Sequence, residues 1–134
     1  MRRNKALQHH YRFINVHPIA GPLGAEIKGV NIACPLKSGV VLEIRQAFLE
    51  HLVILFHNQE LTPKELLSFS KQFGKPMEYP QLKGLPEFPM ITEVIKLESE
   101  KNNFGGVWHS DTSYLKHPPM GSHAFCCRNS TKRR

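Results

Sequence analysis

The chain has 134 residues, 40% hydrophobic and 22% charged, which suits one globular domain rather than a disordered or fibrous chain. It lacks a run of eighteen apolar residues, so it holds no membrane-spanning helix. Its basic start, Met1 to Lys5, leads into Gln8, His9 and His10 rather than the apolar stretch of a secretory signal. The net charge of +7 sits at the two ends, in Arg2, Arg3, Lys5 and Arg12 and in Arg128, Lys132, Arg133 and Arg134. Ten basic residues face eleven acids between them, which argues against a folded nucleic-acid-binding face.

In chain order, Phe13-Ile14-Asn15-Val16-His17 reads as a short strand stopped by Pro18. Gly21-Pro22-Leu23-Gly24 reads as a turn, and residues 25–30 alternate as a second strand. Ser38 is placed to cap a first helix near residues 39–51. Val40, Val41, Ile44, Ala47 and Phe48 recur on one face at helical spacing. Leu52-Val53-Ile54-Leu55-Phe56 is apolar at consecutive positions and predicts a strand buried on both faces.

The second helix is predicted near residues 63–73. Thr62 caps it, Pro63 opens it, Glu65 completes a capping box, and Leu61 and Leu66 form a hydrophobic staple. Leu66, Phe69 and Phe73 continue its apolar face, and Gly74 ends it. Residues 75–89, rich in Pro and Gly, read as loop. Residues 90–95 return to strand-like alternation, residues 107–111 follow a Gly105-Gly106 pair, and residues 122–125 read as a last strand. The pattern predicts a mixed α+β fold.

There are three cysteines, Cys34, Cys126 and Cys127. An odd count with two adjacent members suits a reduced interior and a cytoplasmic location, and no Cys-x-x-Cys spacing suggests zinc. In Trp108-His109-Ser110-Asp111, residues two apart on a strand point to the same side. An imidazole and a carboxylate could thus reach one metal ion as two ligands of a facial triad. The tripeptide alone reads more readily as a His–Asp pair at a surface turn. His117 and His123 are the nearest further histidines, and each reads as an ordinary solvated or core residue.

Several segments matching in order go further than the tripeptide. They are Gly24 to Val30, Leu52 to Gln59, Leu61-Thr62-Pro63, Phe69, Phe73-Gly74, Trp108 to Asp111, and Pro118-Pro119-Met120-Gly121. Together they resemble the TauD/TfdA-like taurine dioxygenase family over residues 16–125. The resemblance implies a double-stranded β-helix (jelly-roll) enzyme, truncated here, with two helices before the metal-binding strand. It implies an iron(II)- and 2-oxoglutarate-dependent dioxygenase that hydroxylates a small organic substrate with O₂, with His109 and Asp111 as the first two iron ligands. Tyr79 and Gly105 fall where the taurine enzymes carry substrate-contacting His and Asn, so taurine is not the substrate expected.

The family's distal His, its 2-oxoglutarate-gripping Arg and a 2-oxoglutarate-contacting Thr fall beyond residue 134. Residues 126–134 do not resemble the family's continuation. The expected organisation is a basic tail over 1–12, a partial dioxygenase domain over 13–125, and a second basic tail over 126–134. Three functions follow from the sequence: a fragment of a longer dioxygenase, a noncatalytic remnant offering an interaction surface, or a small nucleic-acid binder, which the charge location disfavours.

Overall fold

The computed structural model describes residues 10–21, 23–96, 99–101 and 105–126. The chain falls into two compact units that divide between Phe73 and Gly74. In the first, strand β1 (Asn15–Ala20) and strand β2 (Leu23–Lys28) form an antiparallel hairpin, with Ala20 opposite Leu23 and Gly21 at φ 52° entering the turn. Helix α1 (Ser38–His51) follows, then a two-residue strand β3 (Ile54–Leu55) and helix α2 (Pro63–Lys71). β3 pairs parallel to β2, giving the sheet order β1-β2-β3. A parallel pair needs a crossover between its strands, and α1 is that crossover.

Apolar alternation in β2 buries Ala25 and Ile27. Ile27 joins Ile14, Ile32, Ile44, Ala47 and Phe69 in one core, around which Tyr11, Leu61, Phe56 and Phe73 pack. Each buried isoleucine contributes about 1.5–3 kcal/mol relative to exposure. The rings of Phe56, Phe69 and Phe73 meet edge to face, with centroids 5.8 and 5.0 Å apart.

Three polar devices tie distant segments to this core. The Glu43 carboxylate of α1 accepts the backbone N–H groups of Arg12, Phe13 and Ile14 at 2.7, 2.8 and 3.2 Å. Tyr11 donates its hydroxyl to Glu50 at 2.8 Å. The Gln59 amide accepts from the N–H of Ile32 at 3.0 Å and donates to the carbonyls of Val30 and His57 at 3.2 and 3.0 Å. It thereby sews the loop after β2 to the loop after β3.

Both helices lie where the spacing predicts, and the capping box of α2 is complete. Thr62 Oγ1 accepts from Glu65 N–H at 3.3 Å while the Glu65 carboxylate accepts from Thr62 N–H at 2.7 Å. Other expectations need correction. Ser38 is the first helical residue rather than the cap; Lys37 holds the cap position without a side-chain bond.

Pro18 does not stop β1 but pairs with Ala25 inside it, which an edge strand permits because one of its flanks needs no N–H donor. Residues 52–56 are not a strand buried on both faces. Only Ile54 and Leu55 pair, and Leu52, Val53 and Leu55 are 63%, 46% and 42% exposed. Leu52 instead closes α1 at φ 64°, its N–H bonded to the Phe48 carbonyl at 2.8 Å. Tyr11, ahead of β1, packs against the core.

The second unit is mostly irregular. Residues 75–79 are loop, as expected, and residues 84–91 close on themselves. Leu85 N–H reaches the Ile91 carbonyl at 2.8 Å and Ile91 N–H the Phe88 carbonyl at 2.8 Å. A Cβ on Gly84 would lie 2.1 Å from the Pro89 carbonyl oxygen, so only glycine fits that crossing. The strands expected at 90–95, 107–111 and 122–125 are absent; those residues are irregular. A ladder needs a partner, and among the described residues of this unit no segment lies alongside to supply one. A short 3-10 turn, Thr112–Tyr114, is its one helical element among the described residues.

Candidate metal centre

His109 and Asp111 lie on exposed irregular backbone just before the Thr112–Tyr114 turn. Their side chains nevertheless converge: His109 Nε2 is 3.3 Å from Asp111 Oδ1. The other ring nitrogen, Nδ1, lies 2.7 Å from the carbonyl oxygen of Val107. A carbonyl only accepts, so Nδ1 carries the proton in that bond and Nε2 is left to face the carboxylate. Two acceptors at this distance repel unless a proton or a metal ion stands between them. Ligands at right angles on a six-coordinate first-row ion, with bonds near 2.1 Å, sit about 3 Å apart. The pair therefore fits two adjacent positions on such an ion.

The two-residue spacing brings the groups together, but through the Val107 contact rather than through a strand. That carbonyl was invisible to sequence reading, because every residue carries one. Gly105, at φ 69°, backs the same ring: a Cβ on it would lie 3.4 Å from His109 Cε1. An open depression runs along Gly105, Gly106, Val107, Trp108 and His109, with Val107 and Trp108 fully presented to solvent.

Tyr79, also in the second unit, is 41% exposed, and its carbonyl accepts from Leu82 N–H at 3.3 Å. Among the described residues no hydrogen bond or ion pair joins Tyr79 to His109 or Asp111. His117 and His123 are exposed, and no group of three His, Cys, Asp or Glu residues able to hold a metal forms among the described residues. No helix among them is long and apolar enough to cross a membrane.

Residues 15–132 match the sequence model of the taurine catabolism dioxygenase TauD, TfdA family. The chain belongs to that family. Among its curated relatives, an alpha-ketoglutarate-dependent sulfate ester dioxygenase of Pseudomonas putida is 30% identical over 114 residues, which cover 84% of this chain and 37% of that protein. An alkylsulfatase of Acinetobacter baylyi is 30% identical over 110 residues, covering 81% and 34%. The crystal structure of a taurine dioxygenase from Burkholderia xenovorans superposes with a TM-score of 0.55 at 33% identity, covering 58% of this chain and 28% of that one. The chain thus spans about a third of the length of the curated relatives it matches.

Proposed function

We propose that the chain supplies His109 and Asp111 as two iron(II) ligands of a 2-oxoglutarate-dependent dioxygenase that hydroxylates a small organic molecule with O₂. The observation that carries this reading is the convergence of His109 Nε2 and Asp111 Oδ1 at 3.3 Å with the far imidazole nitrogen already held by Val107. Membership of the TauD, TfdA family supports the choice of metal and co-substrate. In this proposal the polypeptide completes a double-stranded β-helix, and the third His ligand and the 2-oxoglutarate-binding Arg come from outside residues 1–134. Residues 13–125 form the dioxygenase part, flanked by basic segments, in the cytoplasm. The names of the two relatives support an organic sulfate ester as the substrate class, with Tyr79 and Gly105 on the substrate side.

Iron(II), when bound, supplies O₂ activation coupled to decarboxylation of 2-oxoglutarate. The chain's own residues hold and aim. The Val107 carbonyl fixes the imidazole tautomer and keeps Nε2 as the donor nitrogen. Asp111 contributes the negative charge that offsets part of a dication's charge. The apolar wall of Val107 and Trp108 offers surface for the carbon skeleton of a substrate beside the metal.

Anaerobic iron(II) titration with a succinate assay on the same sample tests the reading. Weak binding that disappears in His109→Ala and Asp111→Ala, with no succinate from residues 1–134 alone, is the expected result. Succinate formation abolished by His109→Ala would mean that a third ligand lies within the chain. The alternative, a noncatalytic remnant serving as an interaction surface, draws on the lack of a third donor among the described residues. Iron binding indifferent to both substitutions would favour it.

A further inference from the structure

We infer that Gly105 is a positioning residue for His109, and that its missing side chain keeps the metal-facing nitrogen open; this rests on the metal reading above. Gly105 takes φ 69°, the left-handed region that favours glycine. A Cβ built there would stand 3.4 Å from His109 Cε1 and 3.9 Å from Nε2. The peptide at 105 therefore backs the ring edge between its two nitrogens. Nδ1 on that edge is occupied by the Val107 carbonyl at 2.7 Å, and Nε2 is the nitrogen left for a cation.

Ligands adjacent to Nε2 on a six-coordinate ion lie about 3 Å from it. Any atoms extending past a Cβ at 3.9 Å would compete with them for that space. A methyl group fits at ordinary contact distance and leaves the nitrogen reachable; a longer side chain does not. Gly105 then acts on the metal through His109, in addition to any contact with substrate.

Gly105→Ala and Gly105→Leu separate open space from backbone conformation. Both force an L side chain into the left-handed region and share that strain, roughly 1–2 kcal/mol, but only Leu adds reach. Two readouts apply to the 134-residue chain, with circular dichroism as the check on folding. One is the Mn(II)-induced broadening of the His109 and Asp111 NMR signals. The other, made without metal, is the rate at which diethyl pyrocarbonate modifies His109, mapped by mass spectrometry.

Ala is expected to stay near wild type in both, whereas Leu weakens Mn(II) binding at least about tenfold and slows modification of His109 severalfold. Equal effects of Ala and Leu, or none from either, would overturn the inference. If the Leu variant misfolds, Gly105→Met supplies similar reach on an unbranched chain and is read the same way. Mn(II) binding that survives His109→Ala would instead overturn the metal reading alone, because the modification rates need no metal.

Discussion

His109 turns Nε2 toward Asp111 Oδ1 at 3.3 Å while the Val107 carbonyl holds its Nδ1 at 2.7 Å, so the imidazole is aimed by backbone and completed by a carboxylate. The Asp111 side chain is 86% exposed, which separates its proposed metal role from any role in folding. Asp111→Asn keeps the shape and removes the charge. Divalent-metal affinity should fall at least about tenfold, while stability stays within about 0.5 kcal/mol of wild type. Calorimetric Mn(II) titration and a thermal melt on the same protein check both halves. A lowered melting point with unchanged affinity would assign Asp111 to folding instead.

The capping box of α2 carries a pH signature. The hydroxyl of Thr62, and then its backbone N–H, stabilise the Glu65 carboxylate and hold its pKa below the ordinary glutamate value. A lowered folded-state pKa adds stability that is present above the unfolded value, about 4.3 for glutamate, and is lost as pH falls through the folded value. Thr62→Ala should cost about 1 kcal/mol at neutral pH. The cost should shrink in acid, as urea melts at pH near 7 and near 3 would show. A cost independent of pH would mean that only the neutral hydroxyl bond matters.

Gln59 should behave as a staple rather than as a surface residue. Its amide satisfies one N–H and two carbonyls on the loops that follow β2 and β3. Gln59→Ala is expected to destabilise the chain by about 1–3 kcal/mol. Gln59→Glu should be no better, because it keeps the acceptor for Ile32 and turns a charge toward the carbonyls of Val30 and His57. Urea denaturation of the two variants decides, and a Glu variant as stable as wild type would contradict the assigned donors.

Tyr11 is held protonated by its surroundings. Burial raises its pKa above the ordinary tyrosine value, and the hydrogen bond and charge of Glu50, with the charge of Glu43, raise it further. A raised folded-state pKa contributes stability that is complete below the unfolded value, about 10, and is lost as pH rises through the folded one. In an ultraviolet titration the Tyr11 phenol should ionise above the ordinary tyrosine value. Glu50→Gln should bring it down toward that value. An unchanged titration in that variant would leave burial and the charge of Glu43 as the causes.

The elements that local chemistry can specify were legible in residues read in order. The cap, Pro and Glu of α2 lie within four positions, and the apolar face of α1 repeats within single turns, so neither helix needed knowledge of a distant segment. The spacing of His109 and Asp111 likewise marked two groups able to meet. What depended on partners far along the chain was not legible. Whether Pro18 ends a strand or sits in one is decided by its place at a sheet edge opposite Ala25. Residues 52–56 are apolar enough for a buried strand, yet only Ile54 and Leu55 find β2 beside them. The contacts of Glu50 with Tyr11, Glu43 with Arg12 and Gln59 with Ile32 span 39, 31 and 27 residues and leave no local pattern. At the candidate metal centre, side-chain identity named the two groups proposed as ligands. The folded backbone, through the Val107 carbonyl and the bare peptide at Gly105, decided which way the imidazole points, and no residue type announces where a carbonyl will aim.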